Sequence, residues 1–165
     1  MGLTINQDLF EGVKRAIAET GRIDMQCWAG IAGDTVSSVD EISRLSLSDD
    51  CGTTACIGGW ACYLAGEDAI AGVVRRHGLH PYDAQEPAAI AATLLLDSDW
   101  STGELEEACH ALFHLKHWPA VERQASDDSQ TAAERVQVVL RRMDNWATEI
   151  ATLSATDQPA TRQSL

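Results

Sequence analysis

The sequence predicts an all-α protein, with a single compact domain of about five or six helices over residues 1–153 and a flexible tail at 154–165. Three observations support this prediction. Apolar residues recur at helical spacing in several segments. Four of these segments are preceded by Ser or Thr with Glu or Gln three residues later, the pattern of a capping box. No segment alternates convincingly with period two, so we expect at most a minor hairpin near residues 22–37.

In the N-terminal half, each predicted helix begins at a capping residue or a turn and ends at a glycine or a polar residue. Thr4 and Gln7 form the first capping-box pair, and Gly21 is the expected stop. Thr53 or Thr54 is the expected cap of the helix that carries Trp60. The predicted helices are one between Thr4 and Gly21, a short one opened by Ser38 and Glu41, one over 53–65 that Gly66 ends, and one over 67–75 that breaks near Gly78.

The C-terminal half contains the strongest helix signals. Ser101 with Glu104 and Thr131 with Glu134 form two further capping boxes. Trp118-Pro119 closes the helix that Ser101 opens, and a polar link at 126–130 follows. The predicted helices here cover 86–96, with Pro87 in the first turn, 101–117, and 131–153, where the apolar stripe is Val136, Val139, Leu140, Met143, Trp146, Ala147 and Ile150.

Composition excludes several classes of function. The chain has 25 acidic against 12 basic residues, a formal net charge of −13. A nucleic-acid-binding face needs basic residues, so we expect no direct nucleic-acid binding. We also expect no membrane segment and no signal peptide, since neither pattern is present. An odd number of cysteines without an export signal predicts reduced thiols and a cytoplasmic location.

The segment from Cys51 to Trp60 contains the densest set of chemically active residues. A thiol just before a helix start favours the thiolate, so Cys51 is a candidate catalytic nucleophile. Two observations oppose catalysis: the preceding Asp49 and Asp50 raise a thiol pKa, and no strand offers a histidine base. The competing interpretation is structural, with small residues allowing close helix packing. The motif residues are Cys51, Gly52, Thr53, Cys56, Gly59 and Trp60.

A second cluster consists of histidines. His110, His114 and His117 follow one face of a predicted helix, and Glu107 precedes His110 by three residues. Glu-x-x-His is a ligand pair in di-iron bundles, but a second such pair is missing from the sequence. A Zn²⁺ site formed by these four residues is therefore an alternative to solvated histidines. Our prediction for the chain as a whole is that it needs no cofactor.

The Cys-Gly-Thr segment resembles one found in uncharacterised proteins of phages and their bacterial hosts. That family carries Cys-Gly-Thr-x-x-Cys-x-x-Gly-Trp-Ala, often with a Met-x-x-Trp before it and a Leu-Phe…Trp-Pro element after it. The matching positions are Met25 to Trp28, Cys51 to Ala61, Leu112-Phe113 and Trp118-Pro119. Gly58 stands where the family usually has Ala. The resemblance implies a small protein of phage or prophage type and implies no particular activity.

Together these observations predict a small acidic module that binds another protein with a basic surface. The target would be a host defence or nucleic-acid-handling protein that the module inhibits. We expect the protein not to be an enzyme. The alternatives are a cysteine-dependent hydrolase that uses Cys51 and a metal-binding helical protein that uses His110, His114 and His117. The sequence leaves the oligomeric state open.

Overall fold

The computed structural model describes residues 3–23, 25, 29–31, 34–36, 53–78, 86–97, 101–128 and 131–156. Within these ranges the protein is all-α, as predicted. The helices are α1 (Gln7–Thr20), α2 (Ile57–His77), α3 (Glu86–Leu95), α4 (Thr102–Ala108), α5 (His110–Phe113), α6 (Ala120–Asp128) and α7 (Ala132–Thr156), with a 3-10 turn at Leu115–His117. The helix predicted after Ser38 lies outside the described residues.

Five short strands accompany the helices in the described part of the chain. They are β1 (Thr4–Ile5), β2 (Ala29–Ile31), β3 (Asp34–Val36), β4 (Thr53–Ala55) and β5 (Leu96–Asp97). The antiparallel β2–β3 pair confirms the hairpin predicted near 22–37. β4 pairs antiparallel with the other edge of β2, and β1 pairs antiparallel with β5. The two small sheets pair short segments that flank the helices, and they do not form a separate layer of the fold.

The predicted capping role of Thr4 is wrong. Thr4 belongs to β1, where it pairs with Asp97, and the N-cap of α1 is Asn6. The Asn6 Oδ1 atom accepts a hydrogen bond from the Leu9 amide at 3.3 Å, and the Asn6 Nδ2 atom donates to the Leu94 carbonyl. Gly21 does end the helix as predicted, in the left-handed conformation with φ 67°.

The predicted start of the second helix is also wrong. Thr53 to Ala55 form β4, so neither Thr53 nor Thr54 caps the helix, which begins at Ile57 with Cys56 as its N-cap. Three-residue pairing with β2 holds this segment extended, a long-range contact that overrides its local helical pattern. At Gly66 the helix axis changes direction because the backbone leaves the helical region there, and helical geometry resumes to His77 before Gly78.

Gly66 has φ 85° and ψ 169°, a region that glycine adopts and other residues essentially avoid. Space is not limiting, since a Cβ added at this position would have nothing within 4 Å. We therefore expect Gly66→Ala to lower the free energy of unfolding by about 1–3 kcal/mol through backbone strain alone. Urea denaturation followed by circular dichroism measures this change in the free energy of unfolding. Gly72→Ala is the control, because Gly72 is helical and equally unobstructed, and it should be neutral or stabilising. An equal cost for both variants would contradict the expectation.

Both C-terminal capping boxes are confirmed. The Ser101 hydroxyl accepts from the Glu104 amide while the Glu104 carboxylate accepts from the Ser101 amide, and Thr131 and Glu134 are paired in the same way. The single helix predicted over 101–117 is wrong, because the structure divides it into α4, α5 and the 3-10 turn. α6 occupies much of the expected polar link, and α7 continues three residues past the predicted boundary at 153.

The hydrophobic core lies where α1, α2 and α3 pack on each other and on α7. Trp60, Trp118 and Trp146 are all buried there. The Trp146 indole lies 5.9 Å from the Phe10 ring and donates a hydrogen bond to the Ala108 carbonyl at 3.0 Å, which joins α7 to α1 and α4. In the described part of the chain, we find no helix with both the length and the apolar character that crossing a bilayer requires.

Candidate functional site

Residues 56–61 of the Cys-Gly-Thr motif are buried and belong to the core. The Cys56 Sγ atom accepts a hydrogen bond from the Gly59 amide at 3.3 Å, so this thiol caps α2. The Trp60 side chain is fully buried, and its Nε1 donates to the Arg22 carbonyl at 2.7 Å. Trp60 thereby joins the start of α2 to the segment that follows α1. Cys51 and Gly52 lie outside the described residues, so catalysis by Cys51 stays a prediction.

Two of the buried thiols, those of Cys62 and Cys109, are poor nucleophiles. Burial raises the pKa of Cys62 well above its usual value, and the neighbouring Cys56 adds to the effect. Burial also raises the pKa of Cys109, with a smaller contribution from Glu106. A thiol that stays protonated at neutral pH neither attacks a carbonyl nor binds a metal readily. These positions fit the packing role that the small residues of α2 suggested.

The three histidines do come together, although the helix that carries them is not continuous. The ring centroids of His110 and His114 are 5.4 Å apart, those of His110 and His117 are 5.1 Å apart, and those of His114 and His117 are 6.1 Å apart. His110 and His114 are half-buried and His117 is exposed. Burial lowers the pKa of His114, and the other two imidazoles and Lys116 lower it further. The neutral ring is therefore the favoured form at neutral pH.

Backbone hydrogen bonds hold the histidine segment in place. The His114 amide donates to the His110 carbonyl at 3.1 Å, and the His117 amide donates to the His114 carbonyl at 2.9 Å. The second of these closes a 3-10 turn, in which side chains three residues apart eclipse each other. The buried Trp118 anchors the turn by donating from Nε1 to the Leu112 carbonyl, and Arg123 of α6 donates to the Lys116 carbonyl.

Glu107 does not complete a ready-made metal site with these histidines. It lies in α4, whereas His110 opens α5 after the break at Cys109. In the ranges that the structure describes, no group of three or more His, Cys, Asp or Glu side chains could hold a metal ion as the side chains stand. The His110 and His117 planes are nearly parallel, at 13°, so their lone pairs do not converge as the rings stand.

An open groove of about 910 Å³ runs along α1 and α2 on another face of the molecule. Its apolar lining includes Leu64, a large hydrophobic side chain that is 38% exposed. Charged side chains of α1 stand along it: two carboxylates and one guanidinium. The lining residues are Asn6, Asp8, Leu9, Gly12, Arg15, Ala16, Glu19, Thr20, Leu64, Ala65, Ala69 and Leu94.

A second groove of about 490 Å³ continues the first, since the two share Asn6, Ala69 and Leu94 in their linings. It extends along the last turns of α2 as far as Arg76. Both grooves are open to solvent; the first is lined by Leu64 and Ala65 before Gly66 and by Ala69 after it, whereas the part of α2 that lines the second lies wholly after Gly66. The helical spacing of residues 53–65 predicts that Leu64 shares one apolar face with Ile57 and Trp60, and this pattern does not indicate a groove.

A buried ion network was also missed. The Arg142 guanidinium is fully buried and donates to Glu122 of α6 at 2.8 Å and to Glu149 of α7 at 2.5 Å. Asn145 donates to the second carboxylate oxygen of Glu122 at 2.6 Å. Arg142 follows Val139 by three residues and precedes Trp146 by four, so its position in the apolar stripe indicated burial. Its role here is to attach α6 to α7.

Comparison with protein-family models, with curated proteins and with solved structures finds no match to this chain.

Proposed function

We propose that this protein is a non-enzymatic binding module of phage or prophage type, and that the groove along α1 and α2 receives a basic amphipathic helix of its protein partner. The observation that carries the proposal is the groove itself, an open channel along two helices with both apolar and charged lining and with Leu64 exposed in it. A partner helix that lays its apolar face into a groove between helices is a recurring mode of protein recognition.

The charge along the groove determines which kind of partner helix it would bind. The charged groups along the groove are Asp8, Glu19 and Arg15, which sum to one net negative charge, and the whole chain carries −13. An acidic surface speeds the approach of a basic partner and disfavours acidic ones. Proteins that bind nucleic acid expose Lys and Arg on the surface that contacts the phosphates. A nucleic-acid-handling or host defence protein is therefore the class of partner whose charge is complementary to this groove. Occupying such a basic surface would inhibit it.

The proposal is tested with a synthetic amphipathic helix of Leu and Lys, labelled for fluorescence anisotropy, and with a scrambled peptide of equal composition. We expect the amphipathic peptide to bind more tightly than the scrambled one, and both to weaken with salt. Leu64→Asn should weaken binding of the amphipathic peptide by roughly three- to sevenfold, because covering the 38% of the side chain that is still exposed contributes about 0.6–1.1 kcal/mol. The substitution changes no charge, so it isolates the apolar contact.

Val121→Asn is the matched control. Val121 is 82% exposed on α6, away from the groove, and its replacement should leave peptide affinity unchanged. Amide chemical shifts of the ¹⁵N-labelled protein should change along α1 and α2 when the peptide is added. Equal affinity for the scrambled peptide, or an unchanged affinity of the Leu64→Asn variant, would contradict a docking groove at this place.

A further inference from the structure

We propose that His110, His114 and His117 form a binding site for a divalent transition-metal ion, with Zn²⁺ as its test ion. Imidazole nitrogen is a preferred ligand of Zn²⁺, Ni²⁺ and Cu²⁺, whereas Mg²⁺ and Ca²⁺ prefer oxygen. The proposed site lies on α5 and the 3-10 turn and is independent of the groove along α1 and α2.

The spacing of the three rings supports the site. A zinc–nitrogen distance of about 2.0–2.1 Å puts the centroids of imidazoles around one tetrahedral ion roughly 5 Å apart. The three observed separations, 5.1, 5.4 and 6.1 Å, are close to that value. The rings are therefore already at the right distances, and what binding requires is a change in their orientation.

That change can be made by His117, the most exposed of the three rings. The nearly parallel planes of His110 and His117 prevent both lone pairs from pointing at one ion, so one of the two rings must rotate about its side-chain bonds. His117 is exposed and its ring rotates without displacing the core. The backbone beneath the rings stays in place, since Trp118 and Arg123 fix the turn through the Leu112 and Lys116 carbonyls.

The surroundings determine the character of the site. Three neutral imidazoles leave the charge of the ion uncompensated, and Lys116 and Arg123 at the same turn oppose a cation. The net charge of −13 on the whole chain acts in the other direction. With three histidines as ligands, the fourth tetrahedral position remains for water or for a group from another molecule, as in zinc sites that are not purely structural.

The test uses the full chain without a histidine tag, dialysed against ZnCl₂ and analysed for metal by mass spectrometry. We expect one Zn²⁺ per chain. The double variant His110→Ala/His117→Ala should lose affinity by at least about tenfold, since even residues that only orient metal ligands are worth 10–100-fold. His77→Ala, at the C-terminal end of α2, is the matched control and should bind as the wild type does.

Two further measurements keep the result decisive. The double variant could lose affinity because it unfolds, which its circular dichroism would show. His117→Gln replaces only an exposed side chain, so its effect on zinc affinity tests the site without disturbing the fold. The absorption spectrum of the Co²⁺-loaded protein separates imidazole from thiolate ligands, because thiolates add an intense charge-transfer band. Absence of zinc binding, binding unchanged by His117→Gln, or a thiolate band would each overturn the proposal.

Discussion

Replacing Arg142 with methionine is expected to lower the free energy of unfolding by about 3–5 kcal/mol, because it removes the cation that compensates a nearly buried carboxylate. Arg142 is fully buried, and the Glu122 side chain that it contacts is 16% exposed. Methionine fills much of the same space, so the loss reports the broken ion pair more than a cavity. In a protein of this size the melting temperature should fall by on the order of 10 °C.

Two further variants test the reason for that loss. Glu149→Gln should cost less than about 1 kcal/mol, since Glu149 is 50% exposed and its attraction to Arg142 is screened by water. The double variant Arg142→Met/Glu122→Met should be more stable than Arg142→Met alone, because the buried cation and the carboxylate that it compensates are then removed together. Urea unfolding measures the free energy of unfolding of all three variants. A double variant no more stable than the single one would show that packing, and not charge, determines the effect.

Replacing Trp60 with alanine should cost about 3–5 kcal/mol of unfolding free energy. The indole is fully buried, makes an edge-on contact with Tyr63 at 5.8 Å between ring centroids, and donates to the Arg22 carbonyl. Trp60→Phe keeps most of the buried ring but removes the donor, so we expect a smaller cost of about 1–2 kcal/mol. The difference between the two separates the cavity from the hydrogen bond.

The control is on the same helix. Leu64→Ala, one turn after Trp60, removes a partly exposed side chain and should cost less than about 1 kcal/mol. Thermal and urea unfolding of the three variants provide the comparison. If Trp60→Ala cost no more than Leu64→Ala, residues 56–61 of the Cys-Gly-Thr motif would not have the structural role that their burial indicates.

The candidate sites differ in how far the sequence led to them. His110, His114 and His117 were predicted to share a face, and their rings are close together even though the helix breaks at Cys109 and His114. The prediction worked because an α-turn and the following 3-10 turn both return a side chain to nearly the same side. Glu107 was included on the assumption of a continuous helix, and the break places it in the preceding one.

The groove could not be predicted from local sequence patterns. An apolar residue such as Leu64 follows the periodicity of the buried face whether or not another helix covers it. Its exposure depends on where α2 changes direction at Gly66 and on how closely α1 approaches, since Leu64 lies 3.9 Å from the place of a Cβ on Gly12. Both are properties of helix packing, which side-chain spacing within one segment does not determine.

The sequence by itself determined the helical class, the capping boxes at Ser101 and Thr131, and the stop at Gly21, because each depends on atoms within a few residues of one another. The tertiary structure alone decided the fate of Thr4, which pairs with Asp97 across the molecule, and of Thr53, which joins a sheet in place of a helix. It also decided that Arg142 is buried against Glu122. These outcomes rest on contacts between distant segments, whose free energy exceeds local preference; periodicity indicated that Arg142 is buried, but only the packing of two helices gave it Glu122 as a partner.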